Sequence, residues 1–160
     1  MYRTPCLVLL TLAAVFAFDL DTVQFRAQLL NGDIVVVNET TRFQRKYPNV
    51  TLNGMMLKTK LVKGQINYQL GKRIPGDQLV AEKADKQSFP APEDIQIVLR
   101  YPTKGEGATV SHVNIVVDQS SSVGDGYVIE GGISQKFIGI LVEANNTMHF
   151  TFSASIYGYY

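Results

Sequence analysis

The feature that most constrains the fold of this chain is a regular alternation of apolar and polar side chains near its C-terminus. Met148, Phe150 and Phe152 are each followed by a polar residue, and the pattern continues to Ile156. A period of two directs one set of side chains into a core and the other into water, which is typical of a β-strand. Residues 148–156 are therefore predicted to form a strand with one buried face.

The same alternation recurs along most of the chain. The further stretches that it predicts as strands are residues 56–62, 78–84, 95–101, 113–117, 127–129 and 138–142. Glycine, serine and asparagine, which suit tight turns, separate these stretches at residues 104–107, 120–126, 131–132 and 145–146. Several short strands at this spacing predict an all-β fold, either an antiparallel β-sandwich or a barrel-like single domain.

The N-terminus has a different character. Arg3 is the only charged residue in the first seventeen, and an apolar run over residues 6–16 ends beside Ala17 in a small-x-small pattern. A charged start, an apolar run of about 7–15 residues and a small-residue exit describe a secretory signal peptide. The run is too short to span a bilayer, which needs about 20 apolar residues. We therefore expect a cleaved signal peptide over residues 1–17 and a secreted, extracellular protein without a membrane span.

The inventory of reactive residues is poor. Cys6 is the only cysteine and lies inside the predicted signal, so a mature chain would have no thiol nucleophile, disulfide or cysteine zinc ligand. The sequence contains no nucleophile elbow, phosphate loop or H-E-x-x-H motif. We therefore expect no catalytic residue, no cofactor and no metal site, and hence no enzyme.

Basic residues are concentrated in residues 42–73, although the formal net charge of the whole chain is only +1. This segment contains no acid, and its basic residues are Arg42, Arg45, Lys46, Lys58, Lys60, Lys63, Lys72 and Arg73. Spaced charges of this kind usually form a solvated surface, but they can also contact a polyanion. The first six are candidates for a binding surface.

The C-terminal tyrosines are a second candidate binding surface. Tyr157, Tyr159 and Tyr160 surround Gly158 at the end of the chain. Tyrosine is enriched in protein interfaces, but a tyrosine can equally close the edge of a core. The sequence leaves these two interpretations open.

Three N-glycosylation sequons begin at Asn38, Asn49 and Asn145. A sequon requires an exposed loop and the secretory route, so the predicted signal peptide raises its value. Asn145 is the favoured acceptor because residues 145–146 are predicted to form a hairpin turn. We expect at least one of the three to be glycosylated.

Over residues 67–158 the chain resembles a known family. The matching pieces, in order, are YQLG at residues 68–71, GDQLVAE at 76–82, YP at 101–102, VNIVVD at 113–118, GY at 126–127, GG at 131–132 and IYG at 156–158. This order and spacing are similar to the insect multiprotein bridging factor 2 family, whose name describes a transcription activator. The resemblance implies a small β-rich domain without catalytic residues. Residues 18–66 have no clear counterpart in it, and a serine-rich stretch at residues 120–122 replaces the family's glycine-rich hairpin.

These observations predict three parts: a signal peptide over residues 1–17, a basic N-terminal extension over residues 18–66, and a β-domain over residues 67–160. The favoured function is a secreted, N-glycosylated, non-enzymatic protein that binds a protein partner of unknown identity. The alternative is a transcriptional coactivator that bridges a DNA-bound regulator and the general transcription machinery. No motif for direct nucleic-acid binding is present in the sequence.

Overall fold

The computed structural model describes residues 28–37, 45–49, 51, 53–54, 58–62 and 65–160. The predicted signal peptide over residues 1–17 lies outside these residues. Nine strands are formed: β1 (Gln28–Leu29), β2 (Val35–Val37), β3 (Asn53–Gly54), β4 (Lys58–Val62), β5 (Gln65–Gly71), β6 (Gln78–Tyr101), β7 (Thr109–Gln119), β8 (Gly124–Gly131) and β9 (Ile138–Tyr159).

All nine strands belong to one sheet. Its main path runs in the order β1-β6-β9-β7-β5-β4, while β2 pairs with β6, β8 pairs with β9, and β3 pairs with β8. Every pairing is antiparallel except that of β1 with β6. The prediction of an all-β fold is therefore confirmed. The barrel alternative is wrong, because the end strands β1 and β4 do not pair and the sheet stays open.

Two long strands, β6 and β9, organise the sheet. They have 24 and 22 residues and pair with each other along most of their length. Each one combines two stretches that the sequence predicted as separate strands, so the hairpin turn predicted at residues 145–146 is wrong. The register shifts there, between Ser88 and Ile95 on β6, and Asn146 takes a φ of 53°. Asparagine tolerates this left-handed conformation at a bulge as well as at a turn, so composition alone did not separate the two.

The bulged middle of β6 and β9 divides the sheet into two parts, which we call half-sheets. In the first half-sheet, residues 138–144 of β9 pair with β8 on one side and with residues 95–101 of β6 on the other. In the second half-sheet, the rest of β9 pairs with β7 and with the start of β6. The main chain around β1 and β2 links both, since Leu29 pairs with Glu82 and Val35 pairs with Gln96.

The two half-sheets bury one hydrophobic core between them. Side chains from both contribute to it, including Ile66, Tyr68, Ile97, Leu99, Val113, Ile115, Ile140, Val142, Phe150 and Phe152. The closest approach is at Gly126 of β8, where a Cβ atom would lie 2.8 Å from the ring of Tyr68 on β5. The sheet therefore folds over itself, and a glycine is needed where β8 meets the tyrosine.

Candidate interaction surface

The C-terminal tyrosines lie at one end of the second half-sheet. Tyr157 is half-buried, whereas Tyr159 and Tyr160 are 39% and 76% exposed. Tyr159 pairs with Thr109 at the start of β7. Beside it lies a cavity of about 170 Å³, which is lined by Lys72, Ile74, Val110, Ser111, Ile133, Ser134 and Tyr159. We call this region the tyrosine end.

The loop of residues 72–77, between β5 and β6, forms one wall of the tyrosine end. Asp77 holds this loop in place, because its carboxylate accepts hydrogen bonds from the Ile74 N–H (3.0 Å), the Ser111 hydroxyl (2.7 Å) and the Arg73 Nε–H (2.8 Å). Desolvation of the Asp77 carboxyl raises its pKa, but these hydrogen bonds and the charge of Arg73 outweigh that effect, so its pKa lies below the ordinary value. The loop is therefore tied to β7 through a charged carboxylate.

Arg73 also covers the ring of Tyr157. Its guanidinium carbon lies 3.7 Å from the ring centroid, which is a cation–π contact. The ring of His112 lies 5.9 Å from the same tyrosine, centroid to centroid. Tyr157 therefore supports the loop and the sheet, whereas Tyr159 is partly exposed and Tyr160 presents most of its surface to solvent. Tyr157 therefore fits the interpretation of a tyrosine that closes the edge of the core, while a binding role of Tyr159 and Tyr160 stays a prediction.

The loop of residues 132–137, between β8 and β9, forms the opposite wall. Its Ser134 N–H donates to the Val110 carbonyl (2.8 Å), and the Val110 N–H donates to the Gln135 carbonyl (2.8 Å). The same loop carries Phe137, which is 48% exposed, while Ile74 on the first wall is 41% exposed. Aromatic and aliphatic side chains held by a rigid frame are characteristic of protein-binding surfaces.

Where the structure describes them, the basic residues predicted as a binding surface lie on different elements. Arg45 and Lys46 are exposed, and Lys46 lies beside β2 and β6. Lys58 and Lys60 belong to β4, at the other end of the strand order, while Arg42 and Lys63 lie outside the described residues. The basic binding surface stays a prediction.

The three sequons lie in different settings. Asn38 is outside the described residues, and Asn49 is exposed. Asn145 lies within β9 at the bulge, where its N–H donates to the Val123 carbonyl (3.0 Å). Thr147 of the same sequon is fully buried, and its hydroxyl donates to the His149 carbonyl (2.6 Å). Glycosylation at all three stays a prediction.

One polar cluster was missed by the sequence reasoning. Glu143 and Gln96 are both 8% exposed, and the Gln96 side-chain amide donates to the Glu143 carboxylate at 2.6 Å. Burial raises the pKa of Glu143, the Gln96 hydrogen bond lowers it, and the nearby charges of Asp125 and Asp94 raise it, with a net upward shift. The alternation of apolar and polar residues predicts that Gln96 and Glu143 face water. Their burial could be predicted only by knowing what covers the outer face of β6 and β9.

The remaining candidate features are a metal-binding group and a membrane-spanning helix. Among residues 28–160 that the structure describes, no three His, Cys, Asp or Glu side chains are grouped closely enough to hold a metal ion. His149 instead contacts Asp118 at 3.3 Å. The described residues also contain no helix that is long and apolar enough to cross a membrane.

Comparison with known proteins decides the family. The model of the family described as transcription activator MBF2 matches residues 70–158, which is more than half of the chain. The chain belongs to the transcription activator MBF2 family. The resemblance that the sequence motifs suggested is thereby confirmed. No curated protein and no solved structure matches the chain.

Membership in the MBF2 family corrects two predictions. The secreted, non-enzymatic binding protein was the favoured function and the extracellular space the favoured location, and both are contradicted by a family of transcription activators. Those predictions depended on the composition of residues 1–17, that is, on an apolar run followed by small residues. The predicted glycosylation depended on the same secretory route. The finding supports the coactivator alternative instead.

Proposed function

We propose that this chain is a transcriptional coactivator that works in the nucleus and bridges a DNA-bound regulator and the general transcription machinery. The observation that carries the proposal is the match of residues 70–158 to the transcription activator MBF2 family. Such a role is performed by protein contacts and requires no bond to be made or broken. We therefore assign no catalytic residue and no cofactor to it.

The tyrosine end is the surface that we assign to one of these protein contacts. It lies almost entirely inside the family-matched residues, and it combines the exposed side chains of Ile74, Phe137 and Tyr159 with a cavity of about 170 Å³. We interpret the facing half-sheets as two layers of a sandwich, which hold the loops at this end in fixed positions. A preorganised apolar surface loses little conformational entropy when a partner binds.

The test is transcription from a reporter gene with the full chain fused to a DNA-binding domain that does not activate by itself. We expect reporter activity well above that of the DNA-binding domain alone. The double variant Tyr159→Ser/Tyr160→Ser removes exposed aromatic surface and should lose most of that activity. Val123→Ser is the matched control, because Val123 is 55% exposed but lies at the turn before β8, and it should keep full activity.

The outcomes separate the function from the surface. A fusion that reaches the nucleus at normal level and does not activate would contradict the coactivator function. A fusion that activates equally with and without the two tyrosines would leave the function in place and remove the tyrosine end as its contact surface.

Location is tested by cell fractionation of the untagged chain followed by N-terminal sequencing. The proposal expects a nuclear protein that retains residues 1–17. Recovery of the protein only from the medium, beginning at Phe18, would contradict it.

We also propose a weaker contact between the basic segment of residues 42–73 and a polyanion such as nucleic acid. The exposed Arg45 and Lys46 support it. The double variant Arg45→Glu/Lys46→Glu should elute from heparin at a clearly lower salt concentration than the wild type. Each basic side chain that contacts an anionic group of the polymer contributes to the affinity, and the variant loses two of them. Elution of the wild type at low salt would contradict this contact.

A further inference from the structure

A second opening lies on the first half-sheet, away from the tyrosine end. It is a cavity of about 350 Å³ between β2, β6 and the segment of residues 45–49. Its lining residues are Asp33, Val35, Val37, Lys46, Tyr47, Gln96, Val98 and Arg100. Cavities that bind small molecules begin at about 300 Å³. The volume therefore suits a small molecule better than a protein segment.

The floor and one wall of this cavity are apolar. Val35 and Val98 lie on strands that pair with each other through Gln96, and Val37 is only 5% exposed. The ring of Tyr47 adds an aromatic face, 43% exposed, from the segment of residues 45–49. Valines beside a tyrosine ring are suited to a flat apolar body, because such a body buries its area against them and can stack on the ring.

Cations outnumber anions in the lining. Lys46 has its ammonium 5.5 Å from the centroid of the Tyr47 ring. Arg100 is held in position by the bond from its Nε–H to Glu130 (2.6 Å), and a guanidinium carries further N–H groups on its terminal nitrogens. Asp33 is the only acid among the described lining residues. Glu130 balances Arg100 (2.6 Å) and Lys83 balances Asp33 (3.6 Å), so Lys46 leaves one positive charge in excess, which favours a ligand with a single negative charge.

We propose that this cavity binds a small amphipathic carboxylate. The apolar body of the ligand lies against Val35, Val37, Val98 and the Tyr47 ring. Its carboxylate accepts hydrogen bonds from Lys46 and Arg100, since charge-assisted bonds of this kind are the stronger ones in proteins. The site uses residues N-terminal to the family-matched region together with residues 96–100 inside it, so it does not depend on the proposed coactivator function.

The experiment is calorimetric titration of the full chain with 2-naphthoate and with the neutral 2-naphthalenemethanol. We expect 2-naphthoate to bind about tenfold more tightly than the alcohol, which is the effect of one charge-assisted contact. The variant Lys46→Glu should weaken 2-naphthoate binding about tenfold or more and leave the alcohol unchanged. Lys46 is exposed, so this variant is expected to fold normally.

Two further variants make the result decisive. Lys136→Glu is the matched control, because Lys136 is an exposed lysine in the loop of residues 132–137, and it should bind 2-naphthoate like the wild type. Val35→Glu should weaken both ligands, since it places a charge on the apolar wall. The inference is overturned if neither ligand binds, if the alcohol binds as tightly as the carboxylate, or if Lys46→Glu and Lys136→Glu have equal effects.

Discussion

The two parts of strand β9 differ in how they are buried, although the same strand β6 lies beside both. Residues 138–144, in the first half-sheet, are buried without exception. From His149 to Tyr159, in the second half-sheet, buried and more exposed residues alternate. One strand therefore has two environments, with both faces covered in the first part and one face wet in the second.

Leu141 shows that the outer face of residues 138–144 is covered. It is fully buried but does not belong to the hydrophobic core, to which its neighbours Ile140 and Val142 contribute. Its side chain therefore lies on the outer face, between its strand partners Val98 and Tyr127. The cavity lined by Val98 and Tyr47 opens on this same face. The outer face of the first half-sheet is therefore covered around Leu141, whereas the outer face of the second part of β9 is exposed to water.

A charge placed on the outer face of each part of β9 tests whether the two faces differ in burial. Leu141→Asp should unfold the protein or cost more than about 4 kcal/mol, because it buries an unpaired carboxylate. Ser153→Asp places the same charge on an exposed position of the second part and should change stability by less than about 0.5 kcal/mol. Urea unfolding measures both. Equal effects would show that the two outer faces do not differ.

The contact between the half-sheets is tested at Gly126. A methyl group there would lie 2.8 Å from the buried ring of Tyr68, so Gly126→Ala should cost about 1–3 kcal/mol in the free energy of unfolding. Gly105→Ala is the control, because its Cβ would meet open space and only the left-handed φ of 67° opposes it, at about 1 kcal/mol. A smaller loss for Gly126→Ala than for Gly105→Ala would contradict the close approach of the two half-sheets.

Glu143 makes the stability of the first half-sheet depend on pH. The pKa of Glu143 is raised above its ordinary value of 4.5, so the folded state holds a proton that the unfolded state has lost between these two values. Stability from this group therefore falls as the pH rises through that window and stays reduced above it. Glu143→Gln keeps an acceptor for Gln96 and removes the charge beside Asp125 and Asp94.

We expect Glu143→Gln to raise the thermal midpoint at pH 7, with the gain shrinking as the pH falls towards 4.5. Thermal unfolding monitored by circular dichroism at several pH values measures this. Glu82→Gln is the control, because Glu82 is exposed on the second half-sheet. A variant that is less stable than the wild type at pH 7 would mean that the Glu143 charge is favourable.

The smallest effect is expected at Asp77, in the loop of residues 72–77, where its side chain is 1% exposed. Its pKa is lowered from the ordinary 3.8, so the stability it provides is complete above that value and is lost as the pH falls through the folded-state pKa. Asp77→Asn should lower the thermal midpoint slightly at pH 7, and this loss should shrink as the pH falls below 3.8. A loss that does not depend on pH would assign the effect to the shape of the side chain instead of its charge.

Most strands could be predicted from the sequence, but their connections could not. The alternation of residues 148–156 and 95–101 predicted strands that the structure contains, because side-chain direction in a strand depends only on local geometry. The same reasoning placed a turn at residues 145–146, where β9 continues through a bulge. Asp94 accepts a hydrogen bond from the Asn146 N–H at 2.9 Å there, and Asp94 is far away in the sequence.

The candidate surface divides in the same way. The terminal tyrosines could be selected from the sequence, and two of the three are exposed. The residues that hold Tyr157 in place, Arg73 and His112, come from two other parts of the chain and could not have been selected. The Gln96–Glu143 pair was also beyond the sequence, because alternation predicts two polar residues facing water.

The sequence by itself determined that this chain is all-β and that it belongs with the MBF2 family, because strand alternation and short motifs are properties of neighbouring residues. The tertiary structure alone decided which outer face is covered, where the two half-sheets meet at Gly126, and which polar groups are buried. Burial is a property of what packs against a face. Leu141 is fully buried on the outer face of β9, and residues 138–144 alone do not specify what packs against that face.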